Sequence, residues 1–285
     1  MTVLGVGTAN GGISILHALG LGKGCAVGVD LLTTVRLLDE PCAVEDDDHG
    51  LLDSVLACWR LAGLPSADSY GWIIESGLPV GQGLKSSSSL ACAALRALNE
   101  SSWAGLSDHE IADLAVAAQR RAKCTLTGSL DDVWAALCHG WKLVDPEQKS
   151  SESVLLEGDM EKGLIVLLGL RGERKPKIEL DSFNQHHQLF ERALASLASG
   201  SPLDALSANG MAVAAATDDS EALRLCNLCI ATGAIAAGIS GSGPAIAVIC
   251  YPQDSQTLIS NLSDAGLEVI STRFVTPETI SEEVL

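Results

Sequence analysis

Residues 77–90, GLPVGQGLKSSSSL, place three glycines, a lysine and four consecutive serines immediately ahead of an alanine-rich run. Gly77, Gly81 and Gly83 let the backbone come close to a ligand and take up positive φ. The following ACAALRAL has helical character, so the serines fall on a first helical turn, where backbone N–H groups have no intrahelical partner. An anion, most often a phosphate, is stabilised by those donors and by the helix dipole. Serine hydroxyls add donors or can ligate Mg²⁺, and Lys85 adds a positive charge. The plainer reading of the same residues is a serine-rich cap on a surface helix. It is not a Walker A loop, because Gly-x₄-Gly-Lys-Ser/Thr occurs nowhere in the chain.

A second chemical cluster is TLTGSLDDVWAALCHGW (125–141), with Asp131 and Asp132 adjacent at a helix start. These acids read either as a cap plus a first-turn carboxylate or as a carboxylate aimed at a substrate hydroxyl, as phosphoryl transfer to an alcohol uses. A third, GISGSGPAIAVI (238–249), is a glycine-rich turn between apolar strands and by itself reads as a hairpin. Other reactive side chains carry weaker patterns. Cys226 and Cys229 form C-x₂-C with no second pair at zinc spacing, which points to packing within a helix. His186 and His187 have no nearby His or Cys and are expected to cap or flank a helix. Asp46, Asp47 and Asp48 read as a solvated turn.

The elements that must position these residues alternate in type. The first 40 residues read as glycine-rich turns between short β-like runs, GCAVGVDL and TTVRLLDE. A helix is expected near 50–62 and a strand at 70–76, after which the serine run opens a helix to about 98. Ser107 and Glu110 form a capping box that starts a helix over 107–123. A short helix and the strands GWKLVD and SVLLEG follow, then a buried strand at 163–170. A polar loop is expected at 171–182, and helices over 184–199, 202–216 and 220–232. The tail reads strand (234–240), turn, strand (245–251), helix (254–265), strand (268–275). Strands and helices mixed with hairpin signals argue for an α+β protein, with a boundary near 146–162.

Composition narrows the partners. The 285 residues are 47% hydrophobic and 19% charged, as in a folded chain with a substantial core. Only 4% are aromatic, so that core must be built from aliphatic side chains. A net charge of −18 disfavours nucleic acid and anionic membranes, and it means that any anionic ligand needs local cations or helix N-termini. Nine cysteines, an odd number set mostly in apolar surroundings, point to free thiols in a reducing, cytoplasmic setting. No leader and no apolar run of about 18 residues is visible.

Together the three clusters resemble a known family. PVGQGLKSSSSLACAAL is similar to the second signature of the GHMP kinases, Pro-x₃-Gly-Leu-x-Ser-Ser, and GISGSGPAIAVI resembles their C-terminal signature. The N-terminal GVGTANGGISILHALGLGKGCAVGVDL lacks the usual Pro-Gly-Arg-x-Asn opening. It is similar instead to the archaeal-type shikimate kinases, with their Gly-Lys-Gly and Gly-x-Asp-Leu. Those enzymes also show GLKSSS and TGxxDD, matched here at 83–88 and 127–132.

The resemblance implies an α+β, two-domain GHMP kinase fold. A ribosomal protein S5 domain 2-like N-terminal domain would span 1–159 and a ferredoxin-like C-terminal domain 160–285. It implies ATP and Mg²⁺ as cofactors and phosphorylation of shikimate to shikimate 3-phosphate, towards chorismate and the aromatic amino acids. Pro79, Gly81, Gly83, Leu84, Lys85, Ser86, Ser87 and Ser88 would form the nucleotide loop. Ser87 would ligate Mg²⁺, Asp131 would be the catalytic aspartate that accepts or positions the proton of the substrate hydroxyl, and Asp132 would be a metal-side carboxylate or a helix-capping acid. Lys23 would stand near the transferred phosphoryl or the substrate carboxylate, and Gly241, Ser242 and Gly243 would shape the substrate pocket.

One departure is plain: several relatives supply a glutamate to Mg²⁺ from the helix before the aspartate loop, yet no acid lies between Asp113 and Asp131. Glu75 or Asp132 would replace it, or water and phosphate would complete the coordination. Arg120, Arg121, Arg174 and Arg273 are eligible for a substrate carboxylate on charge alone. Homoserine kinase is the alternative within the family, although its Pro-x-Asn-Leu-Gly-x-Gly-Phe-Asp opening and His-Pro-Asp-Asn run are missing. A non-catalytic, metabolite-binding relative is the alternative outside enzymes. Oligomeric state is not legible.

Overall fold

The computed structural model describes residues 1–44, 47, 49–67, 69–172 and 179–279. Its first half is built on a long antiparallel pair, β1 (Val3–Leu16) and β2 (Gly24–Leu38), joined through the single-turn α1 (Ala18–Leu21). α2 (Leu51–Leu61) follows. β3 (Gly71–Ser76) pairs with the far end of β2 at Thr33–Leu38. Next come α3 (Ser86–Ser102), α4 (Asp108–Arg121) and α5 (Leu130–Leu137). β4 (Trp141–Val144) pairs with the near end of β2, and after α6 (Ser150–Ser153) β5 (Val154–Gly158) completes a five-stranded sheet.

The N-terminal glycines are not turn residues. Gly5 and Gly7 sit inside β1, where a Cβ on either would collide with the carbonyl of Ala97 or Ala93 in α3. Bare backbone in the strand and alanine in the helix let the two elements touch, so one 14-residue strand stands where short runs and turns were expected. α3 is correspondingly buried nearly all round, at Ala91, Cys92, Ala93, Ala94, Leu95, Ala97 and Leu98, as a central helix must be. It packs with α2, α4 and α5 on one face of the sheet, in a core that includes Trp59, Val35, Leu37 and Ile111. The Ser107–Glu110 capping box is present, with both reciprocal bonds. Asp47 is a helix cap rather than a solvated turn residue: its carboxylate accepts the Leu51 and Leu52 N–H groups at 2.7 and 2.9 Å. Asp46 and Asp48 lie outside the described residues.

The second half runs β6 (Ile165–Leu170), α7 (Leu180–Gln185), α8 (His187–Ala198), α9 (Pro202–Ala216), α10 (Ser220–Ala231), β7 (Ala236–Ile239), β8 (Ile246–Cys250), α11 (Ser255–Asp264) and β9 (Glu268–Thr272). Its antiparallel sheet has the order β7-β8-β6-β9, which is the β-α-β-β-α-β ferredoxin-like arrangement. The helix expected over 184–199 is two, because the chain bends at His186, whose Nδ1 lies 2.8 Å from the Ser182 carbonyl. The expected loop at 171–182 falls partly outside the described residues, and its last residues already belong to α7. Cys226 and Cys229 are buried within α10, and all nine cysteines are free thiols.

The halves share a core. Ile13, Ile15 and Leu16 of β1 and Val27 of β2 join Leu167, Val213, Ile246 and Val248 in one cluster. Polar ties reinforce it: the Asp30 N–H donates to the Arg273 carbonyl at 2.9 Å, and the Thr272 hydroxyl to the Asp30 carbonyl at 2.9 Å. The chain passes from one sheet to the other between Gly158 and Ile165.

Candidate active site

The loop before α3 turns through three left-handed residues, Gly81 (φ 74°), Gly83 (φ 80°) and Lys85 (φ 68°), and delivers Ser86 as the first helical residue. Gly83 is required twice over. Its φ disfavours any other residue, and an added Cβ would strike the Ser240 carbonyl. The loop is stitched to both halves. The Gly12 N–H donates to the Leu84 carbonyl at 3.1 Å, the Ala245 N–H to the Gln82 carbonyl at 3.2 Å, and the fully buried Ser240 hydroxyl to the Gly83 carbonyl at 2.8 Å.

Beneath the loop lies a cavity of about 550 Å³. Gly81, Gly83, Lys85, Ser86, Ser87 and Ser88 line it, facing Asp131, Asp132, Gly241 and Ser242. The four serines divide by role. Ser88 donates to Gln119 Oε1 at 3.0 Å, and Ser89, wholly buried, donates to the Ala9 carbonyl and serves the fold alone. Ser86 and Ser87 are partly exposed on the cavity wall beside the uncapped start of a 17-residue helix.

The opposite wall is made by α5. Ser129 (φ 53°) is its N-cap residue, so Asp131 and Asp132 belong to the first turn and neither is the cap. The Asp131 carboxylate is buried against Gly24 of β2, where a Cβ would stand 2.5 Å from the Asp131 carboxyl carbon. Burial, then the neighbouring Asp132, push its pKa up from 3.8 to about 7, against the opposing pull of Lys85 and of the Asp131 and Asp132 N–H groups. Lys85 Nζ donates to Ser14 Oγ at 2.6 Å and stands 2.7 Å from Asp132 Oδ1. The second contact is one of charge, since Oδ1 has no aligned hydrogen-bond donor among the described residues. A helix N-terminus with the Ser86 and Ser87 hydroxyls beside it, the latter in hydrogen-bond contact with Cys124, can thus hold a polyanion on one wall while a buried carboxylate near neutral pKa accepts a proton on the other.

Several expected residues are not brought to this wall. Lys23 lies outside it, its ammonium tied to Asp145 at 2.7 Å. Leu84 is buried, and none of Leu84, Pro79 and Gly243 lines the cavity. Glu75 pairs with Arg36 on the sheet surface. The Arg120 guanidinium packs against Gly128 and donates to the Pro146 carbonyl at 3.4 Å, behind the aspartate loop. Arg121 and Arg273 are also absent from the lining, and Arg174 lies outside the described residues.

Other lining residues carried no usable signal in the sequence. Ser14 sits near the apolar end of β1, and His17 caps the single-turn α1. Gln119 is buried on a capped helix, and His49, Cys124, Thr125 and Ser129 come from turns. Among the described residues no cluster of three or more His, Cys, Asp and Glu could hold a metal, and no helix is long and apolar enough to cross a membrane.

Comparison with known proteins identifies the family and the fold. The family model for the GHMP kinases N terminal domain matches residues 52–140, and that for GHMP kinases C terminal matches 183–267. A shikimate kinase of Pyrococcus abyssi is 32% identical over 175 residues, 58% of this chain and 62% of that one, so this match spans less than two thirds of the relative's length. Shikimate kinases of Thermoplasma acidophilum (28% identical, 92% of each chain) and Methanobrevibacter smithii (26%, 92% of this chain and 94% of that one) match nearly end to end.

In fold, the chain is similar to the Methanococcus jannaschii mevalonate kinase, with a TM-score of 0.76 and 12% identity over 95% of this chain and 98% of that one. It is also similar to a Lactococcus lactis galactokinase complexed with galactose, with a TM-score of 0.74 and 11% identity over 94% and 93%. The two family models cover more than half of the residues and follow one another as the two halves of the structure do: the chain belongs to the GHMP kinases.

Proposed function

We propose that the protein transfers the γ-phosphoryl group of ATP to shikimate, giving shikimate 3-phosphate and ADP. The observation that carries the kinase chemistry is the buried Asp131 carboxylate across one cavity from the serine-lined start of α3. The choice of acceptor is supported by the archaeal shikimate kinases, which match over nine-tenths of the chain. No feature of the cavity favours homoserine.

In this reading the main-chain N–H groups of the loop and of the first turn of α3, with the Ser86 and Ser87 hydroxyls, hold the polyphosphate. Gly241 and Ser242 border the acceptor from the C-terminal half. Asp131 accepts the proton of the acceptor hydroxyl as its oxygen bonds to phosphorus and the bond to the ADP oxygen breaks. A carboxylate with a pKa near neutrality suits a general base at physiological pH, and the loose transition state of such a transfer asks mainly for positioning and charge.

Mg²⁺ takes oxygen donors and binds through one or two protein groups together with phosphate and water. The Ser87 hydroxyl and the Asp132 carboxylate offer oxygens of this kind on the cavity wall, although Lys85 already stands against one Asp132 oxygen. When bound, the ion would neutralise phosphate charge. Nine free thiols support a reducing, cytoplasmic setting. A coupled assay for ADP release on shikimate and on homoserine tests the assignment. Turnover on shikimate is expected, whereas turnover on homoserine alone, or on neither, overturns it.

A further inference from the structure

Lys85 belongs to the phosphate loop by sequence, but its side chain leaves that loop. The stem runs over Gly12 of β1, where a Cβ would stand 3.2 Å from Lys85 Cγ. The ammonium ends between three elements, against Ser14 of β1, Asp132 of α5 and the β7–β8 turn, where a Cβ on Gly241 would be 3.4 Å away. Its side chain is 7% exposed. Lys85 is also the one lysine or arginine among the described residues lining the cavity, since Lys23 is held by Asp145 outside it.

We propose that Lys85 is a positioning residue of the transfer centre and not a grip on the nucleotide. It acts through Asp132, and so on the neighbouring Asp131 that faces the acceptor. The inference rests on the kinase reading above and refines it.

Three physical points favour it. One donor of the Lys85 ammonium is spent on the Ser14 hydroxyl, and its charge is already paired with Asp132 at 2.7 Å. Two adjacent carboxylates on one short turn, one of them buried, repel each other strongly at low local dielectric unless a cation stands between them and the cavity. The start of α3 already offers main-chain N–H groups and hydroxyls to phosphate, and these need no lysine to bind an anion. Removing Lys85 should therefore leave the nucleotide held and the acceptor-side carboxylates misplaced.

The test uses the full chain and four variants: Lys85→Met, Lys85→Arg, Asp132→Asn and the Lys85→Met/Asp132→Asn pair. Affinities for ADP and for a non-hydrolysable ATP analogue are measured by titration calorimetry, beside kcat and KM for both substrates. Lys85→Met is expected to lower kcat by about 100-fold or more, in the range seen when a preorganised charge or donor is lost, while ADP affinity changes less than fivefold. Lys85→Arg restores part of kcat, because it keeps the charge. The double variant loses clearly less kcat than the two single losses combined, as for residues acting as a unit, whereas fully additive losses overturn the coupling.

A fivefold or greater loss of affinity for ADP or for the non-hydrolysable ATP analogue in Lys85→Met, or an unchanged kcat, overturns the proposal and makes Lys85 a phosphate ligand or a bystander. Should Lys85→Met fail to fold, the double variant, which leaves neither charge unpaired, is judged by the same ADP criterion. A wild-type protein inactive on both acceptors sinks the shikimate assignment, and the ADP titration still judges Lys85 by itself.

Discussion

Asp131 makes a prediction that links activity to stability. Its pKa is raised from 3.8 to about 7, chiefly by burial and by Asp132. Below pH ~4 the carboxyl is protonated in both the native and the unfolded chain, and folding carries no penalty from it. Between there and neutrality the native protein keeps a proton that the unfolded chain has released, so stability falls as pH rises. Above the native value the whole penalty is present.

Each tenfold difference in proton affinity is worth about 1.4 kcal/mol, so the shift corresponds to on the order of 4 kcal/mol at pH 8. Asp131→Asn removes the titration and keeps the shape. It should therefore be more stable than wild type at pH 8, with a thermal midpoint higher by roughly 2 °C per kcal/mol recovered, and the gain should shrink towards pH 4. The same variant should lose about 10²- to 10⁴-fold in kcat, because an amide cannot take the hydroxyl proton, while wild-type kcat falls about tenfold per pH unit below neutrality. Thermal or urea unfolding of both proteins from pH 4 to 8, beside pH–rate profiles, measures each part. Subtracting the two stability curves cancels the background of a chain of net charge −18. A variant less stable than wild type at pH 8, or a difference curve that is flat, refutes the assignment of a strained, catalytically poised carboxylate.

Three other outcomes follow from the geometry. Ser87→Ala should shift the Mg²⁺ dependence of turnover to higher concentration, and an unchanged metal titration would reassign the ligand. Gly83→Ala forces a side chain onto the Ser240 carbonyl at φ 80°; a cost of about 1–3 kcal/mol for a strained backbone position, together with weaker ADP binding, should appear in melting and calorimetry. Lys23→Ala breaks only a partly exposed ion pair with Asp145, worth about 0–1 kcal/mol, and kcat should be retained. A large loss of turnover would return Lys23 to the active site.

The residues at the two walls were legible because their signals are local. A glycine-rich turn into a helix, a capping box and a pair of acids at a helix start all arise from backbone rules that act within a few positions. The serine run and the adjacent acids Asp131 and Asp132 stand out on that basis, whereas Gly241 and Ser242 read alone as a hairpin turn and take a place at the site only through the resemblance to the GHMP kinases. Glu110 was placed correctly for the same reason, since its bonds close within one turn. The glycines of β1 misled, because their cause is α3 pressing on the strand from about 90 residues away in sequence. Asp47 misled because acids at a helix start and acids in a solvated turn look alike until the N–H groups they meet are known.

The sequence by itself carried the α+β reading, which depends on propensity, periodicity and hairpin signals, and its short motifs carried the resemblance to the GHMP kinases. Only the tertiary structure decided where each lysine's charge goes. Two lysines 62 positions apart, Lys23 and Lys85, are equivalent as cations in a list of residues, but folding gives one to Asp145 outside the cavity and the other to Asp132 within it. The physical reason is that charge acts through distance and burial in space, and the partners that set both come from strands and turns remote along the chain.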